Sequence, residues 1–119
     1  MRRFLLFGSL LLVAAAVGCA GAPLKTEAST SGIRAAEEVG AKDVPQAKLH
    51  LQLAKESLER ATKLYAQGEK DRARSLLMRA EADAELAVVR SREVAEKQEA
   101  EKAMERVRQL ELANPARVL

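Results

Sequence analysis

The sequence predicts an all-α protein: an antiparallel helical hairpin, with a second helix over about 44–67 and a long third helix over about 69–112, preceded by a short extra helix. Three observations predict it. The residues are 48% hydrophobic but only 3% aromatic, so a core in a chain of 119 residues must be built from Ala, Leu and Val, a helical palette that suits one small domain. Helix punctuation is sparse and well spaced: Gly40, Pro45, Gly68 and the pair Asn114-Pro115. Between these breaks, small and apolar residues recur in steps of three and four, the spacing of one helix face.

Taken in order, the chain opens with Arg2 and Arg3, an uncharged apolar run from Phe4 to Val17, and then small residues. This is the layout of a secretory signal peptide, and the run is short of the ~20 apolar residues that a permanent membrane span needs. The only cysteine, Cys19, follows at once. A lone cysteine makes no internal disulfide, and the single histidine, His50, leaves no Cys/His cluster for a structural metal. Ala16-Val17-Gly18-Cys19 resembles the bacterial lipobox, in which small residues precede a cysteine that is acylated and becomes the first residue of the mature protein. The plainer alternative is a chance cysteine after an ordinary signal peptide. The resemblance implies that Cys19 is a lipid (palmitate-type acyl) attachment site. More than one acyl chain is required for stable anchoring at ~0.8 kcal/mol per buried CH₂. Ala20 stands where an aspartate would mark inner-membrane retention in enteric bacteria, so the resemblance favours the periplasmic face of the outer membrane.

Residues 1–18 are thus read as a signal peptide and 19–30 as a flexible tether, because "AGAPLKTEASTSG" is rich in small and polar residues. The helical domain is placed at 31–113 and a C-terminal tail at 114–119. The first helix has two candidate starts, Thr26 and Ser31, and ends at Gly40, a plausible C′ residue. Whether it packs on the hairpin or extends from it is open. For the second helix, Asp43 is the expected cap, Pro45 lies in the first turn where its missing N–H costs nothing, and Gln46 completes a capping box.

Gly68 ends the second helix, and Glu69 and Asp71 put negative charge at the start of the third, where the dipole favours it. The pairs Glu56–Arg60, Glu59–Lys63 and Glu93–Lys97 have i,i+4 spacing, each worth a few tenths of a kcal/mol. The seam is expected from Ala47, Leu51, Ala54, Leu58, Ala61 and Tyr65 on one helix. On the other stand Ala73, Leu77, Ala80, Ala84, Ala87, Ser91 and Val94. Folding about Glu69 sets large residues mostly against small ones, a coiled-coil-like packing with close helix axes. Beyond Val94 the pattern lapses in "EKQEAEK" and resumes out of register at Ala103, Val107 and Leu110, with Met104 beside it. These four form a candidate interaction stripe.

The stretches "AKDVPQAKLHLQLAKESLERATKL" and "YAQGEKDRARSLLMRAEADAELA", behind a lipobox-like leader, resemble bacterial lipoproteins of the domain-of-unknown-function 4398 (DUF4398) family. The resemblance covers roughly Ile33 to Leu112 and implies a short helical hairpin, found alone or ahead of an OmpA-like peptidoglycan-binding part. It implies no activity, since the family has none assigned, and with no OmpA-like part in this sequence it carries over no peptidoglycan binding. The turn also resembles a tetratricopeptide half-repeat at Gly68, Ala73 and Ala80, but stacked arrays need about three units.

Chemistry-bearing constellations are sparse. His50 has Gln46, Ala47, Leu53 and Ala54 as its helical neighbours, so no local carboxylate or thiol makes it a general base or ligand. Glu37-Glu38 and Glu96, Glu99 and Glu101 read as solvated faces, and Tyr65 as a packing cap at the turn. The formal charge of +3 falls close to balance once Arg2 and Arg3 leave with the leader, and interleaved signs without stacking aromatics exclude a nucleic-acid stripe. The expectation is a non-enzymatic envelope lipoprotein, an adaptor or assembly subunit, with no catalytic residue, cofactor, metal or small-molecule substrate. Its partners are the membrane, through the lipid, and either another envelope protein or a second copy. The alternative is a structural, cell-wall-associated spacer, a class for which a basic C-terminal residue rather than "ARVL" is expected.

Overall fold

The computed structural model describes residues 22–114, and within them every regular element is helical: α1 Glu27–Glu38, α2 Pro45–Ala66 and α3 Lys70–Ala113. The predicted signal peptide over 1–18, Cys19 and most of the predicted C-terminal tail lie outside the described residues. α2 packs antiparallel along α3, and α1 packs on both. The Ser29 hydroxyl donates to the Leu77 carbonyl, and Gly32 lies beside Ala84, so α1 runs in the same direction as α3. Lys55 bonds to Glu37, and the Tyr65 hydroxyl donates to the Ala22 carbonyl at 2.6 Å, so α1 runs against α2. The order is up, down, up.

Both turns are built by glycine. Gly40 and Gly68 have φ of 78° and 84°, the left-handed region open to glycine at little cost. At the first turn the Gly40 and Ala41 amides donate to Glu37 and Ala36. At the second, the Gly68 and Glu69 amides donate to Tyr65 and Leu64. Each is a Schellman cap, which satisfies helix-end carbonyls as it reverses the chain.

The start of α2 differs from expectation. Val44, not Asp43, is the N-cap, and no side chain caps the helix, so the Asp43–Gln46 capping box does not form. Pro45 accounts for this. Its ring drives the preceding residue out of helical conformation, and Val44 is extended at φ −105°, ψ 113°, leaving Asp43 one residue too early. The tether also ends sooner than expected: α1 begins at Glu27, after the Thr26 start, so residues 27–30 are helical.

The core is the alanine seam. Ala47, Leu51, Ala54 and Ala61 of α2 meet Ala73, Leu77, Ala80, Ala84, Ala87 and Ser91 of α3, all buried. Leu58, expected in the seam, is half-buried yet still packed against the core, and Ser57 beside it is buried. Tyr65, Val44 and Val94 are half-buried. α1 adds Ser29, Ile33 and Ala36, and Ala41 follows from the turn. Ser29 and Ser91 bond to backbone carbonyls, and no buried side-chain polar atom among the described residues lacks a partner. α1 therefore covers the first half of α3 and leaves its distal part free.

Candidate functional site

Because α2 starts at Pro45 and α1 lies over the 77–88 region, nothing among the described residues packs on α3 beyond Val94, and residues 95–114 are all exposed. At 1.5 Å per residue the overhang projects roughly 28 Å. Ala103, Met104, Val107 and Leu110 all lie on it, with Met104 72%, Val107 54% and Leu110 70% exposed. At about 100° per residue the stripe is turned roughly 100–160° from the Ser91 side of the seam. It faces away from α2, so lengthening α2 would not cover it.

A helix of this length without tertiary contacts is marginal in water. The overhang is a continuation of a packed helix, so nucleation is already met, and near its root Glu93 bonds to both Arg90 and Lys97. Farther out, Gln109 donates to Glu105, and Arg108 lies 3.7 Å from the same carboxylate. Such pairs hold the helix in water but leave its apolar line uncovered.

His50 is the residue for which tertiary structure changes the picture. Its Nδ1 is 3.0 Å from Oδ1 of Asp83, across the α2–α3 seam and both partly buried. Helical spacing around His50 could not reveal a partner 33 residues away. With the hairpin register in hand, a search for acids on the facing helix would have found it. The pair ties the two long helices together. Among the described residues no group of three His, Cys, Asp or Glu side chains is arranged to hold a metal ion. At the fork where α2 leaves α3 there is an open groove of about 380 Å³, lined in part by Pro45, Arg90, Val94 and Lys97; its two cations are already engaged with Glu93.

Hydrogen bonding from Lys55, with a second bond from Lys42, holds the Glu37 carboxyl below its ordinary value of 4.5. Lys63 does the same for Glu59, and Lys97 with Arg90 for Glu93. Glu56, by contrast, accepts from Gln52. A carboxylate with a depressed folded-state pKa contributes stability above its unfolded pKa and loses it as pH falls through the folded value. The contribution of these three carboxylates should therefore be constant from neutral pH down to about 5.5 and weaken on further acidification. Glu37→Gln should make that acid-side fall shallower, because of these three carboxylates only Glu37 bonds between elements, from α1 to the first turn and α2. Circular dichroism melts of both proteins across this range check it, and identical acid-side slopes would show that the bridge contributes nothing. These groups are exposed, so the effect is small.

No helix among the described residues is long and apolar enough to cross a membrane. Residues 26–111 match the model of a family described as a domain of unknown function, DUF4398. The match starts one residue before α1 and takes in most of the overhang. No curated protein and no solved structure matched.

Proposed function

We propose, from the premise that this chain belongs to the DUF4398 family, that it is a non-enzymatic lipoprotein of the cell envelope, anchored through Cys19 at the periplasmic face of the outer membrane. There it acts as an adaptor or assembly subunit that presents a helical docking surface. The observation that carries this reading is the overhang. An apolar line at Ala103, Met104, Val107 and Leu110 stands in solvent on a helix whose other half is packed against two neighbours. Apolar side chains repeating at helical spacing on an otherwise polar helix are what a partner helix recognises.

The His50–Asp83 pair joins two core helices, and the fork groove is open rather than enclosing, whereas ligand sites bury most of their ligand.

Val107→Glu tests the docking surface. It should leave helicity and melting nearly unchanged, since Val107 touches no other element, and reduce partner capture about tenfold or more, because a carboxylate would be buried in the contact. The measurement is photo-crosslinking in intact envelopes from a probe at Glu111, one turn beyond Val107 on the flank of the stripe, with and without the substitution. No crosslinked adduct, or adducts that Val107→Glu leaves unchanged, would overturn the docking role.

A further inference from the structure

We infer that the occupant of the overhang is a second copy of this chain, paired antiparallel through the same segment; this rests on the reading of the overhang as a docking surface and names its partner. The exposed apolar residues form an alternating line with steps of three, four and three: Ala100, Ala103, Val107 and Leu110. Such alternation is the seam of a two-helix coiled coil. The line is self-complementary in size. A two-fold axis at residue 105 sets Leu110 of each copy against Ala100 of the other and Val107 against Ala103. Large then faces small at every level, the rule that the α2–α3 seam already follows with Leu51, Leu77 and its alanines. A parallel pair would stack alanine on alanine and leucine on leucine, leaving voids at one end and crowding at the other.

Charge agrees on the flank where Met104 meets its own copy. There the same axis brings Lys97 of one copy onto the same flank as Glu111 of the other, offset by only about two residues or ~3 Å along the helices, twice per dimer by symmetry. On the other flank Arg106 meets its own copy, with both long side chains free to reach solvent. The length of the overhang fits as well. Asn114 of one copy falls level with residue 96 of the other, two residues past Val94, where the packed bundle ends. The two bundles then lie at opposite ends of a shared four-turn or five-turn contact and do not collide. So short a contact makes a weak, concentration-dependent dimer.

The test is sedimentation velocity on the full chain purified in detergent, over a concentration series, with circular dichroism to confirm that each variant keeps its helicity. The natural chain should move from monomer to dimer. Val107→Glu should abolish the dimer. Lys97→Glu and Glu111→Lys should each weaken it about tenfold by placing like charges near one another on the same flank at two places. The double variant, Lys97→Glu with Glu111→Lys, should restore it, because the swap rebuilds the pair only when the chains run antiparallel. A chain that stays monomeric, or a dimer indifferent to Val107→Glu, would overturn the inference. A double variant no tighter than the singles would overturn the antiparallel register. Failure here is separable from failure of the docking role. If the envelope crosslink persists as an adduct with a different protein while the purified chain is monomeric, the surface stands and the second copy falls.

Discussion

Replacing Ala84 with leucine should destabilise the bundle by about 1–3 kcal/mol and strip away its cooperative melt. Ala84 is 0% exposed and lies in the α2–α3 seam. It also lies under α1: a Cβ at Gly32 would come within 3.1 Å of the Ala84 Cβ, so the third helix reaches the other two where neither partner has a side chain to spare. Three extra carbons there force α2 away from α3 and lift α1 from both. A domain this small buries too little surface to absorb such a cost. Thermal melts followed by circular dichroism, with Val107→Glu as the companion, separate the two kinds of alanine-rich surface. The seam variant should lose its transition, while the overhang variant keeps it. A melt for Ala84→Leu equal to that of the natural chain would mean that the helices do not approach at Ala84.

The second large effect concerns the anchor. Cys19→Ser should reduce incorporation of a palmitate analogue to background and leave an unprocessed or mislocalised precursor. Only the thiol can form the thioether; a precursor that is not cut keeps its apolar leader, and one that loses the leader has no acyl chains to hold a chain of nearly balanced charge on a bilayer. Metabolic labelling and membrane fractionation of the two proteins measure this. Equal labelling of the serine variant would refute lipidation at Cys19 and leave an ordinary signal peptide as the account of the leader. Ala84→Leu should still be labelled, because the modification depends on the leader and not on the bundle.

Most of the architecture is legible in local sequence signals, and the reason is that helices are local objects. Gly40 and Gly68 mark both reversals because a left-handed residue is needed where a Schellman cap closes. Pro45 marks the start of α2 because only the first turn tolerates a missing N–H. The seam from Ala47 to Ala61 and from Ala73 to Ser91 follows from the three-four spacing, since one face of each helix must be buried. Even the break beyond Val94 is visible, as a lapse in that spacing. The capping box is the instructive error: Asp43 has suitable chemistry, but the conformational restriction that Pro45 imposes on Val44 outweighs a side-chain hydrogen bond.

What the tertiary structure alone decided is where the short helix goes and what meets across the seam. α1 has few apolar residues, and its place is set by Ser29 reaching the Leu77 carbonyl, by bare Gly32 above Ala84, and by Glu37 between Lys42 and Lys55. His50 gains Asp83 only because the hairpin brings residues 33 apart within 3.0 Å. Such contacts depend on side chains that are distant in sequence, and helical periodicity records only which face is buried, not what buries it. The overhang combines both kinds of knowledge: its apolar line is written in residues 100–110, but its freedom follows from α1 docking on the first half of α3 rather than at its far end.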